Sequence, residues 1–202
     1  MKVLIAVPTS EFIFPDVIKA LWDLDKPEDA EVKFTYVRGY DCARARNKIV
    51  EAAEGYDYVL MVDSDTILPK NALVNLLSHN EDVVLGYYAH RNFSKEFTGK
   101  TNLCKLGEFN YTNQYLANEL KALKEQGTYK LQVHGGGLGC ALIRMSVFKK
   151  LEYPYFDWVN YDTGYVLSED LFFDERCRTA GVPIYADTRV ACGHIFRYEQ
   201  KV

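Results

Sequence analysis

The feature that most limits the fold of this chain is a regular alternation of short apolar segments with helix-like segments over its first 90 residues. The apolar runs occupy residues 3–7, 32–38, 58–62 and 82–88. They have the length and β-branched content of buried strands, and the intervening segments carry helix signals such as an N-capping Asp41. This order predicts an α/β fold: a mostly parallel, Rossmann-like central sheet flanked by helices, with ligands bound beyond the carboxyl ends of the strands.

The rest of the chain continues this pattern after one interruption. Residues 91–128 are polar and aromatic, with one predicted helix at 113–126. Further strands are predicted at 129–133, 139–144 and 188–192, and a helix is predicted to follow Ser168 and end at Gly181. A length of 202 residues favours a single domain.

Charge and cysteine content narrow the possible partners and compartment. A formal net charge of -4 argues against bulk binding of a nucleic acid backbone or an anionic membrane surface. The five cysteines are scattered and form no C-x-x-C pair, so we expect reduced thiols in the cytoplasm rather than a disulfide framework or a zinc site. No apolar run approaches about 18 residues, so no transmembrane segment is expected.

Two aspartates, Asp63 and Asp65, follow the apolar run at 58–62 directly. Their D-x-D spacing alone carries no information, because it recurs at Asp23 and Asp25 with no apolar run ahead of it. At the end of a buried strand, however, two carboxylates repel each other and lose hydration unless a cation or hydrogen bonds compensate. Magnesium or manganese is the natural compensator, and an acidic surface turn is the alternative.

A D-x-D at a strand end also occurs in haloacid-dehalogenase-type phosphatases. That motif requires threonine or valine two places after the second aspartate, preferably on the first strand. Here Ile67 occupies that place and the strand is the third, so the phosphatase interpretation is disfavoured.

A second acidic motif, Glu169 and Asp170, opens the predicted helix after Ser168. Carboxylates in a first helical turn are favoured by the helix dipole, which is one explanation. The other is that a carboxylate at the mouth of the same crevice acts as a general base. His194, near the end of the chain, is either a packed histidine or a ligand.

The order of these motifs resembles that of the GT-A glycosyltransferases, nucleotide-sugar-dependent enzymes with a metal-binding D-x-D, and in particular the small family 2-like members of bacteria and phages. YDYVLMVDSDTILP is similar to the family's D-x-D strand, and SEDLFFDERCRTAGVPIYADTRVACGH to its x-E-D helix and following strand. The resemblance implies one GT-A (nucleotide-diphospho-sugar transferase) domain over 1–202. Residues 1–90 would bind the nucleotide sugar, 91–128 would be a variable insertion, and 129–202 would be the acceptor and catalytic half.

The resemblance also implies roles for the acidic residues. Asp65 and His194 would bind Mn²⁺ or Mg²⁺, and Asp63 would reach the metal through water or hold the donor ribose. Asp170 would be the base that deprotonates the acceptor hydroxyl, with Glu169 beside it ordering the loop or the acceptor.

Other residues are candidates for binding substrate. For the donor, the resemblance implies Pro8 and Thr9 at the nucleotide pocket, with Arg46, Asn47 and Arg91. For Arg46 the alternative is a solvated helix face. The segment HGGGL, residues 134–138, lacks the G-K-[ST] that a phosphate-binding P-loop requires. Its Gly136 and Gly137 therefore indicate a tight turn or a close approach of the backbone to a sugar. Trp158 and Tyr161 lie in an aromatic segment and could stack on an acceptor sugar.

The expected function is transfer of a sugar from a UDP- or GDP-linked donor to a glycan or other hydroxyl acceptor. With Asp170 as the general base, the reaction would invert the configuration of the sugar's anomeric carbon. The acidic balance makes a nucleic acid acceptor less favoured. A sugar-nucleotide pyrophosphorylase is one alternative, although VPTSEFIFP lacks the glycine-rich basic loop it requires. A non-catalytic carbohydrate-binding relative is another.

Overall fold

The structure is a computed structural model that describes residues 1–39, 41–90, 99–107 and 113–196. Its helices are α1 (Pro15–Trp22), α2 (Cys42–Ala52), α3 (Ala72–Ser78), α4 (Ala117–Glu125) and α5 (Glu169–Thr179). Its strands are β1 (Lys2–Thr9), β2 (Glu31–Arg38), β3 (Tyr58–Val62), β4 (Thr66–Ile67), β5 (Val83–Tyr87), β6 (Lys100–Cys104), β7 (Gln114–Leu116), β8 (Lys130–Val133), β9 (Gly135–Gly136), β10 (Cys140–Arg144), β11 (Val159–Asn160), β12 (Val166–Leu167), β13 (Ile184–Ala191) and β14 (Gly193–His194). A 3₁₀ helix spans Met145–Lys149.

The central sheet has seven strands in the order β2-β1-β3-β10-β5-β13-β8. The pairs β2–β1, β1–β3 and β5–β13 are parallel, whereas β10 and β8 run antiparallel to their neighbours. Five of the seven strands therefore point the same way, which confirms the predicted mostly parallel α/β sheet. Strands from both ends of the chain alternate within it, so the carboxyl ends of early and late strands meet at one edge.

Apolar side chains fill both faces of this sheet. All five residues of β3 are buried, because helices cover it on both sides. On one face Ile49 of α2 and Phe173 of α5 pack into the core, and on the other Leu21 of α1 and Leu73 of α3 do so. Asp41 caps α2 as predicted, its carboxylate accepting the Arg44 backbone N–H at 2.8 Å.

Two predicted elements differ from their expected bounds by several residues. The helix expected at 113–126 begins only at Ala117, because Gln114–Leu116 form β7 and pair with β6. The last large strand is longer than the predicted 188–192 and spans Ile184–Ala191. Periodicity could not reveal these differences, because strand pairing depends on partners remote in sequence.

Two small sheets lie outside the central sheet and position residues near the D-x-D segment. Strands β7, β6 and β9 form a separate three-stranded sheet, and β4 pairs with β14. The β4–β14 pair sets His194 opposite Thr66, next to the D-x-D segment.

Two further observations concern the cysteines and the helices. All five cysteines lie within the described residues and are free of disulfide bonds. Within those same residues, no helix has the length and apolar character needed to cross a membrane.

Candidate active site

The residues after β3 form a tight turn that is fixed on two sides. The Asp63 backbone N–H donates to the Gly139 carbonyl at 3.0 Å, and the Thr66 N–H donates back to the Asp63 carbonyl at 3.0 Å. The Ile195 N–H donates to the Asp65 carbonyl at 2.9 Å, just beyond β14. Backbone hydrogen bonds thus join the D-x-D turn to segments far later in the chain.

A cavity of about 370 Å³ opens at this edge of the sheet. Its lining includes six of the predicted site residues: Pro8, Asp63, Asp65, Gly137, Asp170 and His194. Sequence reasoning did not identify the other lining residues, which include Cys42, Tyr88, His90, Asn102, Cys104, Gln114 and Ser168. This position beyond the strands' carboxyl ends is where open α/β sheets bind their ligands.

Arg46 lies behind this cavity and connects its carboxylates. Its side chain is only 1% exposed, so it does not lie on a solvated helix face. One guanidinium nitrogen, Nη2, donates to Asp63 Oδ1 at 2.8 Å and lies 3.5 Å from Asp170 Oδ1. Nε lies 3.7 Å from Glu169 Oε1. One buried cation thus neutralises acidic groups from both motifs, which are more than a hundred residues apart.

The environment of Asp170 suits a group that must take up a proton. Burial raises the pKa of the Asp170 carboxyl well above its usual range, as do the nearby Glu169 and Asp63, while Arg46 acts in the opposite direction. No described residue donates a hydrogen bond to Asp170 Oδ1, which is buried. An oxygen of this kind can accept a proton from a bound substrate.

His194 and Asp65 form a pair that suits a divalent cation. His194 Nδ1 donates to the Ala89 carbonyl at 2.9 Å, because a carbonyl oxygen can only accept. In neutral His194 this leaves Nε2 with its lone pair, 3.7 Å from Asp65 Oδ1. Within the described ranges there is no group of three or more His, Cys, Asp or Glu side chains arranged to hold a metal. The pair still fits Mn²⁺ or Mg²⁺, which complete their coordination with phosphate and water.

Two of the predicted donor residues turn away from the cavity. Thr9 donates its hydroxyl to the Phe12 carbonyl at 2.7 Å. Asn47 donates to the Phe156 carbonyl at 2.7 Å and accepts the Tyr155 N–H at 3.0 Å. Neither lines the cavity, and Asn47 instead holds the aromatic segment against α2.

The remaining predicted residues occupy several places. Glu169 is buried behind the cavity, and Gly136 lies within β9, outside the cavity lining. Trp158 and Tyr161 are 47% and 48% exposed, and neither lines this cavity. Arg91 lies outside the described residues.

Tyr88 holds the glycine-rich segment against the cavity. Its hydroxyl accepts the Gly139 N–H at 3.1 Å, and its ring packs edge-on against His194 with 4.9 Å between centroids. A Cβ added to Gly137 would overlap the Tyr88 hydroxyl. Asn102 completes the contact by donating to the Gly137 carbonyl at 3.0 Å. Gly136 and Gly137 had indicated a tight turn or a close approach to a sugar. In the structure, the groups nearest to them are the protein's own Asn102 carbonyl and Tyr88 hydroxyl.

Asp174 fixes the other end of this segment. It is 1% exposed, and its Oδ2 accepts the Gly136 N–H at 2.8 Å. A Cβ on Gly135 would overlap the Asp174 carboxyl group. Burial raises the pKa of Asp174 well above its usual range, which favours the neutral acid. Asp174 is one turn along α5 from Asp170, so the helix that carries Asp170 is also hydrogen-bonded to β9.

The contact between Gly137 and Tyr88 can be tested with a double variant. We expect Gly137→Ala to destabilise the protein by about 1–3 kcal/mol, the usual cost of overpacking. Tyr88→Phe removes the overlapping oxygen, and the next ring atom would lie 3.3 Å from the new Cβ. Tyr88→Phe/Gly137→Ala should therefore be more stable than the two single effects predict. Urea unfolding of the four proteins measures this coupling, and additive free energies would contradict the contact.

The fold and the acidic cavity at the strand ends define a GT-A glycosyltransferase domain. The chain belongs to glycosyl transferase family 2, whose model matches residues 15–152. That match contains Asp63 and Asp65 and ends before Asp170 and His194. A search of curated proteins found no match.

Two solved structures share the fold. The crystal structure of A197 from STIV is 18% identical, with a TM-score of 0.65 over 98% of this chain and 87% of that one. The structure of GalNAc-T7 with UDP, GalNAc and Mn²⁺ is 12% identical, with a TM-score of 0.62 over 98% of this chain. The alignment covers 44% of the GalNAc-T7 chain, so this chain spans less than half of its length.

Proposed function

We propose that the protein is a divalent-metal-dependent glycosyltransferase. It moves a sugar from a UDP- or GDP-linked donor to a hydroxyl group of a glycan or other acceptor, with inversion at the sugar carbon. The observation that carries this proposal is the shared contact of Arg46 with Asp63 and Asp170, which joins the D-x-D and x-E-D motifs at one cavity. The GalNAc-T7 structure, which contains UDP, GalNAc and Mn²⁺, supports the choice of donor class and metal.

The residues divide the chemistry between them. Asp65 Oδ1 and His194 Nε2 would hold Mn²⁺ or Mg²⁺, and Asp63 would bind it through water or hold the donor ribose. When bound, such an ion stabilises the charge that develops on the leaving diphosphate. Asp170 takes the proton from the acceptor hydroxyl as that oxygen attacks. Attack from the face opposite the leaving group inverts the configuration.

We also assign the parts of the chain to the two substrates. Residues 1–90 carry Pro8, Asp63 and Asp65, so we assign them to the nucleotide sugar. Residues 129–202 carry Gly137 and Asp170, so we assign them to the acceptor and catalysis. The intervening residues 91–128 supply Asn102, Cys104 and Gln114 to the cavity lining, which makes this insertion a candidate determinant of sugar specificity.

Calorimetry with MnCl₂ and UDP or GDP tests the proposal directly. We expect one of the nucleotides to bind only when manganese is present. Asp65→Asn and His194→Gln should each weaken this binding by at least about tenfold, because each removes a ligand. Asp23→Asn is the matched control, since it changes the other D-x-D of the chain, which lies away from the cavity. Binding that is independent of manganese, or equal in all variants, would contradict the proposal.

A further inference from the structure

A second cavity lies on the other side of α5 from Asp170. Its volume is about 320 Å³, and it shares no lining residue with the candidate active site. The residues around it are Val159, Tyr161, Tyr165, Leu167, Phe172, Glu175, Arg176 and Thr179. We call this surface the tyrosine shelf.

The tyrosine shelf combines aromatic rings with charged and polar groups. The rings of Tyr161 and Tyr165 lie 5.8 Å apart at 34°, and these residues are 48% and 40% exposed. The Arg176 guanidinium lies 5.0 Å over the Phe172 ring. Glu175 adds a carboxylate to the lining, and this carboxylate also pairs with Arg178 at 2.7 Å. A sugar ring offers an apolar C–H face and a rim of hydroxyls, so exposed aromatic rings beside an arginine and a carboxylate match its chemistry.

The backbone holds the two tyrosines in place before any ligand binds. They lie at the tip of the β11–β12 hairpin, where the Tyr161 N–H donates to the Tyr165 carbonyl at 2.9 Å. The Gly164 N–H donates to the Tyr161 carbonyl at 2.9 Å, and Gly164 has a φ of 79° that suits glycine in a turn. A preorganised surface loses less conformational entropy on binding.

The tyrosine shelf and the candidate active site lie on opposite faces of the same helix. Leu167 and Phe172 line the shelf, whereas their sequence neighbours Ser168 and Leu171 line the active-site cavity. Only the width of α5, about 10–12 Å with its side chains, separates the two cavities. A single sugar cannot reach both, whereas a chain of several linked sugars can.

We propose that the tyrosine shelf is a second acceptor subsite that binds a glycan chain at a distance from the sugar being extended. The acceptor class is then an oligosaccharide or polysaccharide rather than a single sugar or a small hydroxyl compound. This inference rests on the proposed function, because it assigns the acceptor of the same reaction.

The test is binding to a printed array of defined oligosaccharides of one to eight sugar units. We expect the wild-type protein to bind at least one series of three or more units and no single sugar. Tyr161→Ala/Tyr165→Ala should lower this binding by at least about tenfold, as expected for losing two stacking rings. The control is Tyr36→Ala, which removes a tyrosine that is 60% exposed on β2, at the far edge of the sheet.

Each outcome is decisive for the subsite. If no arrayed glycan binds, or if the double variant binds as the wild type does, the inference is overturned. Manganese-dependent nucleotide binding is measured on the same samples and should be equal in all of them. If glycan binding depends on the tyrosines but no nucleotide binds, the shelf is a glycan-binding site and the proposed transfer reaction fails.

Discussion

Asp170→Asn is expected to lower sugar transfer by about 10²- to 10⁴-fold, the range for removing a general base. The amide keeps the shape of the side chain but cannot accept the proton from the acceptor hydroxyl. Manganese-dependent nucleotide binding should survive, because Asp170 is not among the residues proposed to hold the metal. Turnover of UDP- and GDP-linked sugars, measured with manganese, gives the rate.

The control for this experiment is Asp29→Asn, which changes an exposed aspartate away from the cavity. It should transfer sugar at the wild-type rate. If Asp170→Asn retained wild-type turnover, another group would have to act as the base and the proposed mechanism would be wrong.

The pH dependence of transfer follows from the same carboxyl. Burial raises the pKa of Asp170, and only the deprotonated form can act as a base. Transfer should therefore rise with pH through that raised pKa and be lost below it. The acid limb of the rate profile should lie above the range of an ordinary aspartate, whose pKa is about 3.9.

Arg46→Met should cause the largest loss of stability, about 3–5 kcal/mol, which is typical of leaving buried charges without their partner. The variant removes the positive charge that faces Asp63, Glu169 and Asp170. At about 2–4 °C per kcal/mol for a chain of this size, the melting temperature should fall by roughly 6–20 °C. Thermal unfolding followed by circular dichroism measures it.

Arg44→Met is the matched control, because Arg44 lies on the same helix with a side chain that is 75% exposed. Its ion pair with Asp41 is at the surface, so the loss should be about 0–1 kcal/mol. Arg46→Lys should fall between the two, since an ammonium keeps the charge but cannot reproduce the contacts of the guanidinium fork. Equal melting temperatures for Arg44→Met and Arg46→Met would contradict the role of Arg46.

The sequence predicted much of the fold because its signals are local. The alternation of apolar runs with helix signals predicted the α/β sheet, and the D-x-D turn was expected at the end of β3. Burial of all five residues of β3 agrees with that expectation. The motif order also indicated the glycosyltransferase family, which the family match over residues 15–152 confirms.

The structure of residues 99–107 and 113–128 was harder to predict, because it depends on distant partners. Residues 114–116 form a strand rather than the start of a helix, since β6 is available for pairing. The same small sheet carries Asn102 to the cavity, where it supports Gly137 and Tyr88. The periodicity of the sequence does not predict these contacts of Asn102.

By itself, then, the sequence determined the type of sheet, the end of it that carries the acidic residues, and the family. Only the tertiary structure decided which side chains share the cavity. The position of Arg46 on an amphipathic helix allowed either a solvated or a buried side chain. In the folded protein it is buried, because the carboxyl groups of three acidic residues lie around it. Tyr88 and Asp174 had no motif of their own. Both side chains pack against Gly135–Gly137, where a larger residue would leave no space for them. This packing exists only when segments far apart in sequence come together in the folded protein.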